Sequence, residues 1–224
     1  MAKEIRQDTE KKKSLLSKVF KYGLALITLV LVGTILYSFL TSPDNSVTNV
    51  RDSLSPTTSD WVKGNREAKN VLYEFSDFQC PACASYQPLV KQIEKDLGNN
   101  IMLIYKHFPL TTIHKNSFKA SLASEAAGKQ DKFWEMHDLL FNFQNDWSES
   151  PDPYPQFEEY ARSLEIDAEQ FKADYNSDEL KSKIGNDIAL GDKLRINSTP
   201  TFYLNGKKLK LPFTLDQIKS TIKQ

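Results

Sequence analysis

Residues 71–83 read VLYEFSDFQCPAC, and the fold turns on this stretch. The residues from Asn70 to Phe78 mix branched and aromatic side chains and predict a buried strand. Side chains alternate along a strand, so Val71, Tyr73 and Phe75 share one face, and Leu72, Glu74 and Ser76 share the other. Cys80-Pro81 follows at once. Proline suits the first position of a helix, where its missing N–H is not needed. From Pro81 to Leu97 the apolar residues Tyr86, Leu89, Val90, Ile93 and Leu97 recur at helical spacing, and Gly98 ends the run. The expectation is a strand feeding a helix, with a CxxC at the junction.

Downstream, Ile101 to Phe108 (IMLIYKHF) predicts a second strand, stopped by Pro109. The stretch from about 112 to 196 contains no convincing strand. It reads as helices over 114–128, 131–143, 155–164 and 168–194, the last with a break near Asn176-Ser177. Pro200 to Leu204 predicts a strand, Asn205-Gly206 a hairpin turn, and Lys207 to Leu211 an edge strand marked by its lysines. A final amphipathic helix runs from Thr214, a suitable cap, to Lys223. The order is strand, helix, strand, helical block, strand, strand, helix. That is an α/β arrangement in which a βαβ unit and a ββα unit are interrupted by an all-helical insertion.

Upstream, residues 1–22 carry seven basic and three acidic side chains. Residues 23–40 (GLALITLVLVGTILYSFL) form an uncharged run of 18. A membrane-crossing helix needs about 20 mostly apolar residues. The basic flank should remain cytoplasmic, which places the domain beyond the helix outside the cell. A cleaved secretory signal is the alternative, but the run exceeds the usual core of such signals and lacks a small-x-small site. Residues 41–58, rich in Ser, Thr, Asp and Pro, read as a solvated linker. The chain thus divides into a basic tail (1–22), a membrane anchor (23–40), a linker (41–58) and a folded domain (59–224). A formal net charge of zero gives no signal for nucleic acid.

Two cysteines are too few for a structural framework in an exported domain, and a loop this short stabilises little by chain entropy. Chemistry explains the pair better. At a helix N-terminus Cys80 meets free N–H groups and partial positive charge, which lower a thiol pKa and favour the attacking thiolate. Cys83, three residues on, lies on the same face and can resolve a mixed disulfide. Pro81 stiffens the turn, and Ala82 adds no charge. A metal site is a weaker reading. Structural zinc wants four ligands, and His107, His114 and His137 lack ligand spacing, although a two-thiolate Cu(I) carrier stays open. An inert disulfide is weaker still. Glu74, in an apolar strand, reads as a proton acceptor or electrostatic tuner for Cys83, against a solvated edge position. His107 and His114 read as structural. Phe133, Trp134 and Phe141 read as core of the insertion. The glycosylation acceptor pattern Asn197-Ser198-Thr199 overlaps the candidate site and is discounted.

Three separated signals in order carry a resemblance. They are CPxC after a strand, YKHFPL (Tyr105–Leu110) before the helices, and STPTFYLNG with its Asn-Gly hairpin. From about Trp61 to the C-terminus the chain resembles the DsbA-like branch of the thioredoxin superfamily. The resemblance implies a thioredoxin fold with a helical insertion and no cofactor or metal. It implies that Cys80 is the nucleophile, Cys83 the resolving thiol and Pro200 a cis-proline. Thr199 would bind substrate backbone, with Pro81 and Ala82 beside it, and Glu74 stands where that family keeps a buried acid. Ala82 replaces the histidine of strongly oxidising members, which implies a milder oxidant, and a Thr before the cis-proline also occurs in isomerase-type relatives. The partners implied are exported proteins with cysteine thiols and a membrane redox partner, either a quinone-linked reoxidase or an electron donor. The expectation is therefore a membrane-anchored monomer that oxidises exported dithiols, with a reductase or isomerase as the rival reading and a Cu(I) chaperone as a further one.

Overall fold

The structure, a computed structural model, describes residues 20–24, 26–38, 50 and 52–222. Most of the expected basic tail, linker positions 41–49 and the last two residues lie outside these. The chain divides into two compact units, Met1–Ser46 and Val47–Gln224. In the first, helix α1 (Phe20–Ser38) has a mean hydropathy of 1.8 and is long and apolar enough to cross a membrane. Its apolar side chains, among them Leu29, Val32 and Leu36, are exposed.

In the second unit the described residues form one mixed sheet in the order β1-β3-β2-β4-β5. The strands are β1 (Trp61–Gly64), β2 (Asn70–Ser76), β3 (Ile101–His107), β4 (Thr201–Leu204) and β5 (Lys207–Lys208). β2 runs parallel to β3 and antiparallel to β4, so it occupies the centre. Its two faces separate as the alternation predicts. Leu72 packs with Val90 and Ile93 of helix α2 (Pro81–Leu97), whereas Tyr73 and Phe75 join Met102, Ile104 and Tyr203 on the opposite face. Burying each such side chain contributes about 1.5–3 kcal/mol. Pro81 opens α2 with Cys80 as its extended N-cap. Pro88 lies inside the helix and removes the N–H that the Ala84 carbonyl would accept.

The insertion contains α3 (Ser117–Gly128), α4 (Phe133–Asn142), α5 (Gln144–Trp147), α6 (Tyr154–Ser163), α7 (Ala168–Tyr175) and α8 (Asp178–Lys193). The expected break falls at Asn176-Ser177, where the Ser177 hydroxyl caps α8 by accepting from Leu180 N. Phe133, Trp147, Phe157 and Phe171 form the core of these helices, as expected for Phe133, and join the cluster that also holds both cysteines. Trp134 is only partly buried against it. Helix α9 (Leu215–Thr221) begins at Thr214 with a reciprocal capping box to Gln217.

Several expectations need correction. β1 is absent from the sequence reading because WVKG is short and has no alternation. It ends at Gly64, whose φ of 79° and close approach to the Ile101 carbonyl leave no room for a Cβ. The edge strand expected over 207–211 is a ladder at Lys207 and Lys208 with one further bond from the Leu209 N–H to the Phe202 carbonyl, and the chain leaves the sheet before Pro212. Within the stretch read as solvated linker, Leu54 is buried against Tyr73 and Phe75, and its carbonyl accepts the Tyr73 hydroxyl at 3.0 Å. A leucine side chain gains more from that apolar slot than from water. The domain therefore begins before Ser59. Behind it, the buried Lys106 ammonium is held between Asp60 (2.6 Å) and Asp187 (2.7 Å).

Candidate active site

The end of β2 and the start of α2 bring the two cysteines together as free thiols in different surroundings. Cys80 is 7% exposed and Cys83 fully enclosed. The Cys80 N–H donates to the Asp77 carbonyl at 3.1 Å, which sets the turn into the helix. Its Sγ lies 3.4 Å from the Thr199 carbonyl. The Thr199–Pro200 peptide bond is cis, as is Leu211–Pro212. Thus Thr199 and Pro200, remote in sequence, stand directly against Cys80. The Thr199 hydroxyl is buried and has no hydrogen-bond partner among the described residues. Pro81 and Ala82 are exposed beside the thiol.

The electrostatics split the pair. The Cys83 thiol donates to Cys80, the Thr199 hydroxyl adds to this, and the Cys83 and Ala82 backbone N–H groups point at the sulfur; against the opposing effect of burial these lower Cys80 to about 5. Burial, then the neighbouring Cys80, raises Cys83 well above the ordinary thiol value. Only the Asp77 N–H (3.5 Å) and the nearby Ser76 hydroxyl favour a Cys83 thiolate. A nucleophile and a leaving group that recaptures its proton need this asymmetry.

Glu74 shares the Gln87 amide with the Cys83 carbonyl. It lies on the central strand, so the edge-position alternative is overturned. The carboxylate is 1% exposed and accepts from Gln87 Nε2 at 3.1 Å. Burial raises it to about 7, against the opposing help of Ser76, Gln87 and Lys63. A carboxyl poised near neutrality can take up and release protons in the working range.

Other residues shape the site without having been singled out by the sequence. Asp77 accepts from the Gln79 N–H (2.8 Å), the Leu110 N–H (2.8 Å) and His114 Nδ1 (2.7 Å), which fixes the loop before Cys80. The first of these is an Asx turn, legible in DFQ. Gln144 of α5 donates to the carbonyls of Phe78 (2.6 Å) and Cys80 (3.2 Å). Gln79 donates to the Ser148 carbonyl and accepts from the Asn116 N–H, while Asn116 Nδ2 donates to the carbonyls of Ser148 and Ser150. The insertion therefore clamps the CxxC loop from one side. His107, read like His114 as structural, is buried and meets Glu125 at 2.9 Å. No group of three or more metal-ligating side chains occurs among the described residues.

This fold and site define a class: thioredoxin-fold proteins with a redox CxxC and a helical insertion. Residues 57–224 match the family described as Thioredoxin, and the chain belongs to it. It is 29% identical over 206 residues to the probable disulfide bond formation protein D of Bacillus anthracis, covering 88% of this chain and 91% of that protein. The oxidised BdbD structure from Bacillus subtilis superposes with a TM-score of 0.63 at 30% identity, covering 72% of this chain and 89% of that one. The Na(+)/H(+) antiporter NhaA 3 of Salinispora tropica is 31% identical over 163 residues, covering 73% of this chain. The chain spans about a quarter (24%) of that antiporter's length. In fold and in its CxxC pair the chain is similar to thiol–disulfide oxidoreductases of the DsbA-like kind.

Proposed function

We propose that this enzyme is a membrane-anchored, extracytoplasmic oxidase that introduces disulfides into exported proteins. In this reading residues 1–22 are a cytoplasmic tail and 23–40 the anchor, and the catalytic domain lies beyond a linker that ends near Val50. A substrate thiolate attacks Cys80 of the Cys80–Cys83 disulfide, and Cys83 leaves and takes up a proton. The substrate's second thiolate then attacks its own sulfur in the mixed disulfide and expels Cys80 as a thiolate. Two electrons pass from substrate to enzyme, and a membrane redox partner, a quinone-linked reoxidase on the oxidase reading, removes them. Thr199 and the cis Pro200 align substrate backbone beside Cys80, with Pro81 and Ala82 flanking it, and Glu74 serves the proton at Cys83.

The observation that carries this reading is the place of Cys80 at the start of α2, 3.4 Å from the Thr199 carbonyl and against the cis Pro200, a setting that lowers its thiol pKa. A stabilised thiolate stabilises the reduced enzyme, and an enzyme stable when reduced is an oxidant. Ala82 places no charge beside the sulfur, in keeping with a milder oxidant. The test is the reduction potential of the full chain in glutathione buffers. A potential between about −120 mV and about −200 mV supports the oxidase. A potential near about −270 mV, the thioredoxin value, reverses the electron flow and makes the protein a reductase. Tight stoichiometric Cu(I) binding without any exchange activity would replace both readings with a metal carrier.

A further inference from the structure

One sheet face under Cys83 is unusually polar. Glu74 and Ser76 point to it from β2, and Tyr105, opposite Glu74 in the parallel register, points to it from β3. All three are almost fully buried. Asp77, next after Ser76, donates its N–H to Cys83 Sγ at 3.5 Å, which holds the sulfur over this face. Gln87 spans the same gap from α2, reaching Glu74 Oε1 at 3.1 Å and the Cys83 carbonyl at 3.5 Å.

Ser76 is the odd member. Its hydroxyl stands beside Glu74, Cys83 and Tyr105 and favours the ionised form of each. Yet it completes no hydrogen bond of good geometry with any described residue. A buried hydroxyl left so is costly, so its presence asks for a use. It sits two residues from Glu74 on the same strand face, next to the Asp77 N–H that meets Cys83, and bonds no described residue. A hydroxyl carries a donor and two acceptor lone pairs on one rotor, so it can accept a proton while giving one up. The Gln87 amide cannot do this at neutral pH. The Tyr105 hydroxyl is also unpartnered, but it comes from β3, whereas Ser76 adjoins Asp77, whose N–H holds the Cys83 sulfur.

We propose that the Ser76 hydroxyl relays the proton that passes between Glu74 and Cys83 during each exchange. The inference deepens the function proposed above and rests on it. When Cys83 leaves as a thiolate, the Ser76 Oγ–H bond breaks toward Sγ while the Glu74 carboxyl O–H bond breaks toward Oγ. The products are a Cys83 thiol, an intact serine hydroxyl and a Glu74 carboxylate, with no net change in charge and no electron moved. Reoxidation runs the step backwards. The titratable groups facing the relay are Glu74, Cys83, Cys80, Asp77 and Tyr105, with Lys63 acting on Glu74 from β1.

The test is rapid-mixing kinetics of the full chain, in detergent micelles, with a dithiol peptide across a range of pH. Ser76→Ala should slow formation of the Cys80 adduct about a hundredfold, within the range of general acid–base catalysis, and leave its resolution by the substrate's second thiolate unchanged. It should also abolish the fall in rate that Glu74 deprotonation imposes near pH 7. Ser76→Thr, which keeps the hydroxyl, should restore most of the rate. Glu74→Gln should be as slow as Ser76→Ala, and the double variant no slower than either, because two links in series fail only once. A wild-type rate and pH profile in Ser76→Ala would overturn the relay in favour of direct transfer. So would losses that multiply in the double variant, or a Ser76→Thr variant as slow as Ser76→Ala. If the wild-type protein forms no peptide adduct at Cys80, the proposed function fails and the relay with it.

Discussion

The two sides of the CxxC differ more than three residues of separation suggest. On the Cys80 side the chain offers dipoles: the N–H groups of Ala82 and Cys83, the Thr199 hydroxyl and a rim of exposed Pro81 and Ala82. On the Cys83 side it offers burial, with one N–H at 3.5 Å and a carboxyl held near neutrality. One helical turn carries the chain from a place that stabilises a thiolate to a place that stabilises a thiol. The lesson is that a helix start does not activate both of its cysteines. Depth below the N-terminus decides which one attacks and which one keeps a proton.

The hardest strain on that comparison is to delete each sulfur in turn. Cys80→Ala should abolish exchange, since Cys83 is enclosed and held as a thiol. Cys83→Ala should leave Cys80 able to attack and unable to finish, so mixed disulfides with cellular proteins should accumulate and vanish on reduction. Non-reducing electrophoresis reads both outcomes. Adducts in Cys80→Ala would show that the buried thiol is the nucleophile and sink the contrast.

The next effect belongs to Glu74. Its folded value, about 7, exceeds its ordinary value of 4.5. Between these pH values the native state keeps a proton that the unfolded chain has released, so stability should fall as pH rises through that window and level off above it. A shift of this size corresponds to about 3 kcal/mol. Glu74→Gln removes the titration. Urea unfolding should find the variant more stable than wild type by about 3 kcal/mol at pH 8 and similar at pH 4. A difference independent of pH would mean that Glu74 does not titrate in this window.

Gln144→Leu probes the wall behind Cys80. It removes the amide that serves the carbonyls of Phe78 and Cys80 and should cost about 1–3 kcal/mol in urea unfolding. The Glu74 pH window should stay where it was, because the clamp touches only the thiolate side. A moved window would show that the two sides are mechanically coupled.

How much of this was legible depends on the range of the interactions. Pro81 at the start of α2, the Thr214 cap, the Asn205-Gly206 turn and the two faces of β2 are local or periodic signals, and the structure follows them. Even the Ser177 break was visible. The Gln79, Asn116 and Gln144 clamp was not, because its bonds join residues 31 to 69 positions apart and a glutamine bonded to a distant carbonyl leaves no period. Leu54 was lost for a similar reason: one leucine in a polar stretch shows no pattern until Tyr73 and Phe75 are seen beside it. Glu74 could be singled out from its apolar neighbours. Ser76 could not, since a serine in a strand is unremarkable until the groups around it are known.

The smallest expected effect is the most selective. Thr199→Val keeps the shape of the side chain and deletes the hydroxyl, which completes no hydrogen bond with a described residue but favours the Cys80 thiolate. That hydroxyl is one of several groups holding Cys80 near 5, and it ranks behind the Cys83 thiol. Its loss should raise the Cys80 pKa by about one unit, or about 1.4 kcal/mol, and make the enzyme a weaker oxidant by about 30 mV. Ultraviolet absorbance of the thiolate against pH gives the first quantity, and glutathione equilibration gives the second. The two should move together, because the state that the Thr199 hydroxyl stabilises is the reduced thiolate. A raised pKa with an unmoved potential would mean that the hydroxyl also stabilises the disulfide, which is neutral and gives it little to bind. An unmoved pKa would assign the asymmetry to the backbone N–H groups and Cys83 alone, and the thiolate side would then be a property of the helix start rather than of the loop that crosses it.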